Sequence, residues 1–231
     1  MPLISAGNLQ KRFNLEAGFF ARVGGRFVNA VRDISFHINK NESYGLVGES
    51  GCGKTTTARL LVRMYEADGG FITYDPGAPA AGPRESAEAV DVRVLRGEGL
   101  KRYREKVKYV FQDPARSLNP RMNIYEVLVS GCRWSSGAAG IGKRELWERA
   151  VKILEEVGLS APDLERRPSE FSGGQRQRIS IARGLLMRPD LLICDEVVSA
   201  LDLSIQGQIL NLLLDIREKQ DLSFLFIAHD L

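Results

Sequence analysis

Gly48, Glu49, Ser50, Gly51, Cys52, Gly53, Lys54 and Thr55 follow the order G-x4-G-K-[ST], the spacing a phosphate cradle needs. Glycines at 48, 51 and 53 let the backbone wrap so that consecutive N–H groups converge on an anion. A helix opening at Lys54 adds partial positive charge at its N-terminus. Lys54 would neutralise the β- and γ-phosphates of a polyphosphate, and the Thr55 hydroxyl would ligate Mg²⁺. Cys52 sits inside this loop, as a small filler or as a redox-active thiol.

Leu191, Leu192, Ile193 and Cys194 form an apolar run that ends in Asp195 and Glu196. Open α/β sheets bind ligands at the carboxyl ends of their strands. Asp195 is expected to hold Mg²⁺ through water. Glu196, next in line and pointing the opposite way along a strand, is expected to act as a base or water-orienting group. Phe171, Ser172, Gly173, Gly174 and Gln175 precede a helix over 176–187 and make a second anion site of the same physical type. Three explanations stay open for it. The chain binds two phosphates, the site serves a neighbouring molecule's nucleotide, or it is an ordinary Ser-capped helix.

Positioning these groups requires an α/β scaffold, and the pattern predicts one. Short apolar runs alternate with amphipathic stretches. Strands are expected over 31–38, 43–47, 71–74, 107–111, 191–194 and 224–228. The last two are continuous apolar runs, as in a parallel sheet covered on both faces. Ile205, Ile209, Leu212, Leu213 and Ile216 form one helical stripe, as do Leu146, Ala150, Ile153, Leu154 and Val157, with Gly158 as a stop. Residues 75–99 read as a loop insertion of low structural content. From 112 to 187 helical signals dominate, which predicts a helical lobe inserted into the sheet core.

Composition narrows the class. The 231 residues carry 32 Lys+Arg against 29 Asp+Glu, a formal charge of +3, with 44% hydrophobic residues. Disorder needs a lower hydrophobicity and a larger net charge. Three cysteines without a CxxC pair suit a reducing compartment better than a disulfide framework. Neither a signal peptide nor an apolar stretch long enough to span a bilayer is expected. The basic run at Lys101, Arg102, Arg104, Lys106 and Lys108 reads as a solvated face.

Taken together, these motifs resemble the nucleotide-binding subunits of ABC transporters. Gly48 to Thr55 matches Walker A, and Leu191 to Glu196 resembles Walker B with its catalytic Glu. Phe171 to Gln175 resembles the signature, Gln112 the Q-loop glutamine, Ser199 to Asp202 the D-loop, and His229 the switch histidine. The fold implied is a P-loop NTPase (RecA-like) sheet core of residues 1–111 and 188–231, with a helical subdomain over 112–187. The stretch from Gln112 to Arg121, the signature's Phe171, and the run from Cys194 to Asp202 resemble the oligopeptide/dipeptide importer ATPases, a branch that includes nickel and oligosaccharide importers. Val197 stands where many members have Pro. The chain stops at Leu231 where family members continue, so a shortened C-terminus is expected.

The resemblance implies ATP and Mg²⁺ as cofactors, with Thr55, Gln112 and Asp195 on the metal. Nucleotide contacts are implied for Gly48 to Thr56 (including Thr56), Gln112, Asp195 and Asp202. Ser172, Gly173, Gly174 and Gln175 would act across a head-to-tail dimer with an identical or related ATPase. Phe13 is the candidate for stacking on adenine; a core strand Phe is the alternative. Glu196, His229 and Lys54 are the implied catalytic residues. The implied partners are two membrane permease subunits, docked at 113–122, and indirectly a solute-binding protein. The implied place is the cytoplasmic face of the plasma membrane. Rival readings are an ABC ATPase acting on nucleic acid, supported only by the basic run, and a P-loop kinase, in which the signature has no role. No nucleic-acid partner is expected.

Overall fold

The computed structural model describes residues 2–14, 27–77, 89–132, 141–199 and 201–229. In chain order the strands are β1 (Pro2–Asn14), β2 (Phe27–Asn39), β3 (Ser43–Val47), β4 (Gly69–Tyr74), β5 (Val90–Asp91), β6 (Val107–Val110), β7 (Leu191–Asp195) and β8 (Ser223–Ala228). The helices are α1 (Lys54–Leu61), α2 (Gly97–Lys106), α3 (Pro114–Ser117), α4 (Ile124–Val129), α5 (Lys143–Glu156), α6 (Gly173–Leu185) and α7 (Leu203–Lys219). One sheet is antiparallel in the order β2-β1-β4-β5. The other is parallel in the order β3-β8-β7-β6.

Side-chain alternation on β7 ties the layers together. Leu191 and Ile193 join a core with Leu60 and Leu61 of α1 and Ile4 of β1. Leu192 and Cys194 point the other way, into a second core with Ile179 of α6, Leu154 of α5 and Ile209 of α7. A strand buried on both faces must be apolar throughout, which explains the unbroken run. The α5–α6 region therefore shares its core with the sheet. Burial of the thiol also raises the pKa of Cys194 well above the ordinary cysteine range.

Two expectations are corrected and a third is refined. First, β1 was not foreseen. Register shifts near Ala6, Leu9 and Lys11 break its alternation with β2. Second, 75–99 is not uniformly loop: β5, a 3₁₀ turn at Val92–Val94 and the start of α2 lie within it, and Val92 is fully buried. Residues 78–88 of that stretch lie outside the described residues. Third, the basic run is a solvated face, with Lys101, Arg102, Arg104 and Lys106 exposed, but it is anchored from within. Tyr103 is buried and donates to the Leu61 carbonyl at 2.6 Å. Arg104 donates to the carbonyls of Val62 and Arg63, capping the end of α1. Lys108 is half-buried, and desolvation lowers its pKa.

All three cysteines are free. Among the described residues no helix is long and apolar enough to cross a membrane.

The parallel register sets up the site. Val47 pairs with Ala228, Asp195 with Ile227, and Val110 with Cys194. The residues that follow these strands, from Gly48, Phe111, Glu196 and His229 onward, therefore leave the sheet at one edge.

Candidate active site

The loop after β3 turns directly into α1. Gly53 is its N-cap, in left-handed conformation at φ 101°, and a Cβ there would lie 2.2 Å from the Ala30 carbonyl oxygen of β2. Only glycine fits both constraints. No side chain caps α1, so its first amides stay open toward the loop. Lys54 is buried, and its ammonium curls back to donate to the carbonyls of Gly48 and Glu49, the latter at 2.8 Å. The Lys54 ammonium and the uncapped helix start thus lie together in one loop, the elements an anion site needs. Cys52 is exposed, with its sulfur 3.9 Å from Lys54 Nζ.

Asp195 ends β7 and faces α1. The Thr55 hydroxyl donates to its Oδ1 at 3.1 Å, across 140 positions of sequence. The Tyr109 hydroxyl donates to its Oδ2. Burial, then the Asp195 carboxylate, push the Tyr109 phenol far above the ordinary tyrosine range, so it remains a donor. Behind it, the Arg59 guanidinium donates to the Tyr65 hydroxyl at 3.4 Å and lies beside Tyr109. Burial opposes its charge, yet those contacts raise its pKa overall. Thr55, Arg59, Phe111, Gln112, Asp113, Arg116, Ser117 and Asp195 line a cavity of about 470 Å³.

Glu196 lies just past the strand, in left-handed conformation at φ 49°, so strand alternation no longer sets its direction. Its N–H donates to the Ile227 carbonyl at 3.1 Å, and its own carbonyl accepts from the Ser199 amide and hydroxyl. The side chain is pinned at both oxygens. Gln112 Nε2 donates to Oε2 at 2.5 Å, and His229 Nε2 lies against Oε1.

The remaining expected residues lie elsewhere or have other partners. Ser172 caps α6: its hydroxyl accepts from the Gln175 amide at 3.3 Å, and Gln175 Oε1 accepts from the Ser172 amide at 2.9 Å. A Cβ on Gly174 would lie 2.8 Å from Ile205 Cγ2, so the glycine lets α6 approach α7. Asp202 caps α7, accepting from the Ile205 amide and the Ser204 hydroxyl, which lower its pKa. Among the described residues no hydrogen bond joins 172–175 or Asp202 to the phosphate loop. Phe13, near the end of β1, packs edge-on against Tyr65 at 5.1 Å with Lys11 over its ring. Ala200 lies outside the described residues.

Sequence reasoning passed over Tyr109 and Arg59. Arg59 carried one signal, its position four residues after Thr55 on the same face of α1. Tyr109 carried none, because its relation to Asp195 depends on which strands pair.

Residues 31–199 match the family described as ABC transporter. The chain belongs to the ABC transporter family. Among relatives of this ABC chain, the oligopeptide transport ATP-binding protein OppF of Bacillus subtilis is 45% identical over 204 residues, 88% of this chain and 62% of that protein. The glutathione import ATP-binding protein GsiA of Pectobacterium atrosepticum is 41% identical over 236 residues, all of this chain and 34% of that protein. The ABC chain spans 60–65% of the length of several curated peptide-transport relatives. A dimeric, post-hydrolysis structure of the ATP-binding cassette MJ0796, bound to ADP and Pi, superposes with a TM-score of 0.78. It is 22% identical and covers 98% of this chain and 88% of that one. At that identity the likeness establishes the fold, an ABC-type P-loop cassette.

Proposed function

We propose that this chain is the ATP-binding and ATP-hydrolysing part of an importer for oligopeptides, dipeptides or a chemically related solute. The observation that carries the reading is Glu196 held between Gln112 and His229, at the edge where Thr55 meets Asp195. The names of the relatives, oligopeptide transport and glutathione import, supply the solute class.

The loop amides and Lys54 bind the triphosphate. Thr55, the Gln112 carboxamide oxygen and, through water, Asp195 would hold Mg²⁺, a set of hard oxygens suited to that ion. When bound, that ion neutralises charge on the β- and γ-phosphate oxygens. Glu196 orients the attacking water and takes its proton, and His229 fixes the carboxylate and contacts the γ-phosphate. Catalysis here is mostly positioning and charge stabilisation. Gln112 opens the helical segment, so its contact with Glu196 couples the γ-phosphate to that segment's orientation.

In this reading the amide-rich turn at Ser172, Gly173 and Gly174 serves the nucleotide of a second cassette, identical or related, which accounts for two phosphate-type helix starts in one chain. Residues 113–122 dock on two membrane permeases at the cytoplasmic face, and a solute-binding protein delivers the solute. Phe13 stacks on the adenine. The test is reconstitution of the whole transporter in vesicles. Peptide-loaded binding protein should stimulate ATP hydrolysis. Stimulation by duplex DNA instead would move the chain to the nucleic-acid class.

A further inference from the structure

We infer that Tyr109 is a positioning residue for Asp195: its hydroxyl, backed by Arg59, fixes the carboxylate plane so that Asp195 presents a preset oxygen to the metal. The inference rests on the reading that Asp195 holds Mg²⁺, and adds to it a residue with no place in the phosphate loop or the acidic strand end.

The geometry starts from strand register. Tyr109 pairs with Ile193 across β6 and β7. Side chains alternate with period two, so Asp195, two residues on, shares the face of Ile193 at about 7 Å along the strand. A tyrosine leaning along its strand spans that distance, and the structure shows the hydroxyl donating to Asp195 Oδ2. Thr55 donates to the other oxygen, Oδ1, at 3.1 Å. Donors on both oxygens stop rotation of the carboxylate about its last bond, which is otherwise a soft torsion.

A phenol has one donor and two acceptor sites. Tyr109 spends the donor on Asp195, and the positive charge of Arg59 acts on the phenol from beside it. Arg59 and Thr55 lie one turn apart on α1, so one helix brings Thr55 onto Asp195 and the Arg59 charge beside Tyr109. The Tyr109 ring packs on Phe111 at 4.9 Å between centroids, which holds the hydroxyl in place. If Tyr109 served packing alone, a phenylalanine ring would do as well, and Asp195 would keep only the Thr55 donor. Groups that hydrogen-bond a metal's carboxylate typically change metal affinity by about 10–100-fold when removed.

The experiment compares wild type, Tyr109→Phe, Arg59→Gln and Asp195→Asn, each loaded with a non-hydrolysable ATP analogue. Mn²⁺ is titrated in, and free Mn²⁺ is read by electron paramagnetic resonance. Nucleotide affinity in EDTA serves as the control for an intact phosphate loop. Tyr109→Phe should weaken Mn²⁺ binding about tenfold or more, with nucleotide affinity in EDTA unchanged within about twofold. Arg59→Gln should weaken Mn²⁺ less, and it carries the test if Tyr109→Phe does not fold. Mn²⁺ affinity within about twofold of wild type in Tyr109→Phe, or in Arg59→Gln where the former is unfolded, overturns the inference. If Asp195→Asn also leaves Mn²⁺ affinity unchanged, the metal role of Asp195 fails and the inference falls with it. Loss in Asp195→Asn without loss in Tyr109→Phe removes Tyr109 alone.

Discussion

Gln112 and Glu196 are 84 positions apart in sequence and joined through Nε2 and Oε2 at 2.5 Å. The bond links the start of the helical segment, just after β6, to the residue that follows β7. A ligand that displaces one partner breaks its bond to the other. His229 holds the second oxygen of Glu196, so the carboxylate is oriented from both sides, as the proposed role in orienting water requires. Such preorganisation is the main resource of a site that activates water against a phosphoryl group.

Replacing Glu196 with Gln keeps an acceptor oxygen and the side-chain volume but removes the carboxylate proposed as the base. Hydrolysis should fall by about 10²–10⁴-fold, while ATP affinity stays near wild type. ATP-bound protein should accumulate as a dimer in light scattering. Turnover within a few-fold of wild type would take Glu196 out of the reaction.

Lys54→Ala removes the buried ammonium inside the phosphate loop. Charge-assisted hydrogen bonds contribute about 1.5–3 kcal/mol each, so ATP affinity should fall by at least about 10–100-fold in calorimetry. The Gly48 and Glu49 carbonyls also lose their donor, so the melting temperature without nucleotide should fall as well. Undiminished ATP affinity would refute the phosphate-loop assignment.

What could be read from sequence depended on how local the signal was. The phosphate loop is contiguous, and each of its residue types answers a local demand. β7 and β8 showed as apolar runs because cores on both sides bury them. β1 was hidden by its irregular register, and the second half of 75–99 by Val92, whose partners in the shared core, Tyr103 among them, lie outside that stretch. Tyr109 could not be found without knowing that β6 pairs with β7, since its partner lies 86 residues away. Gln175 and Asp202 show the converse limit: in this chain both cap helices, and motif spacing alone does not separate a cap from a ligand contact.

Gly174 allows that separation to be measured. In Gly174→Ala the new methyl meets Ile205 Cγ2 at 2.8 Å, and overpacking of this kind costs about 1–3 kcal/mol. The melting temperature should fall. Adding Ile205→Ala opens the space, so the double variant should be less destabilised than the sum of the singles. Hydrolysis should stay low in the double variant if the Gly174 backbone serves a second cassette's nucleotide. Recovery of activity together with stability would make the glycine a packing residue only.

Asp202 gives a prediction in pH. Its carboxylate accepts from the Ile205 amide and the Ser204 hydroxyl, and these contacts lower its pKa in the fold below that of an unfolded Asp. The folded state therefore binds fewer protons than the unfolded one between the two values, and the cap's stabilisation is complete above the unfolded pKa of about 3.9. It is lost as pH falls through the lower, folded value. Asp202→Ala should melt below wild type by a constant margin from about pH 5 upward, because both pKa values lie below that range. The two melting curves should converge as the solution becomes more acidic than about pH 4. A margin that persists unchanged at low pH would show that Asp202 stabilises α7 through something other than its charge.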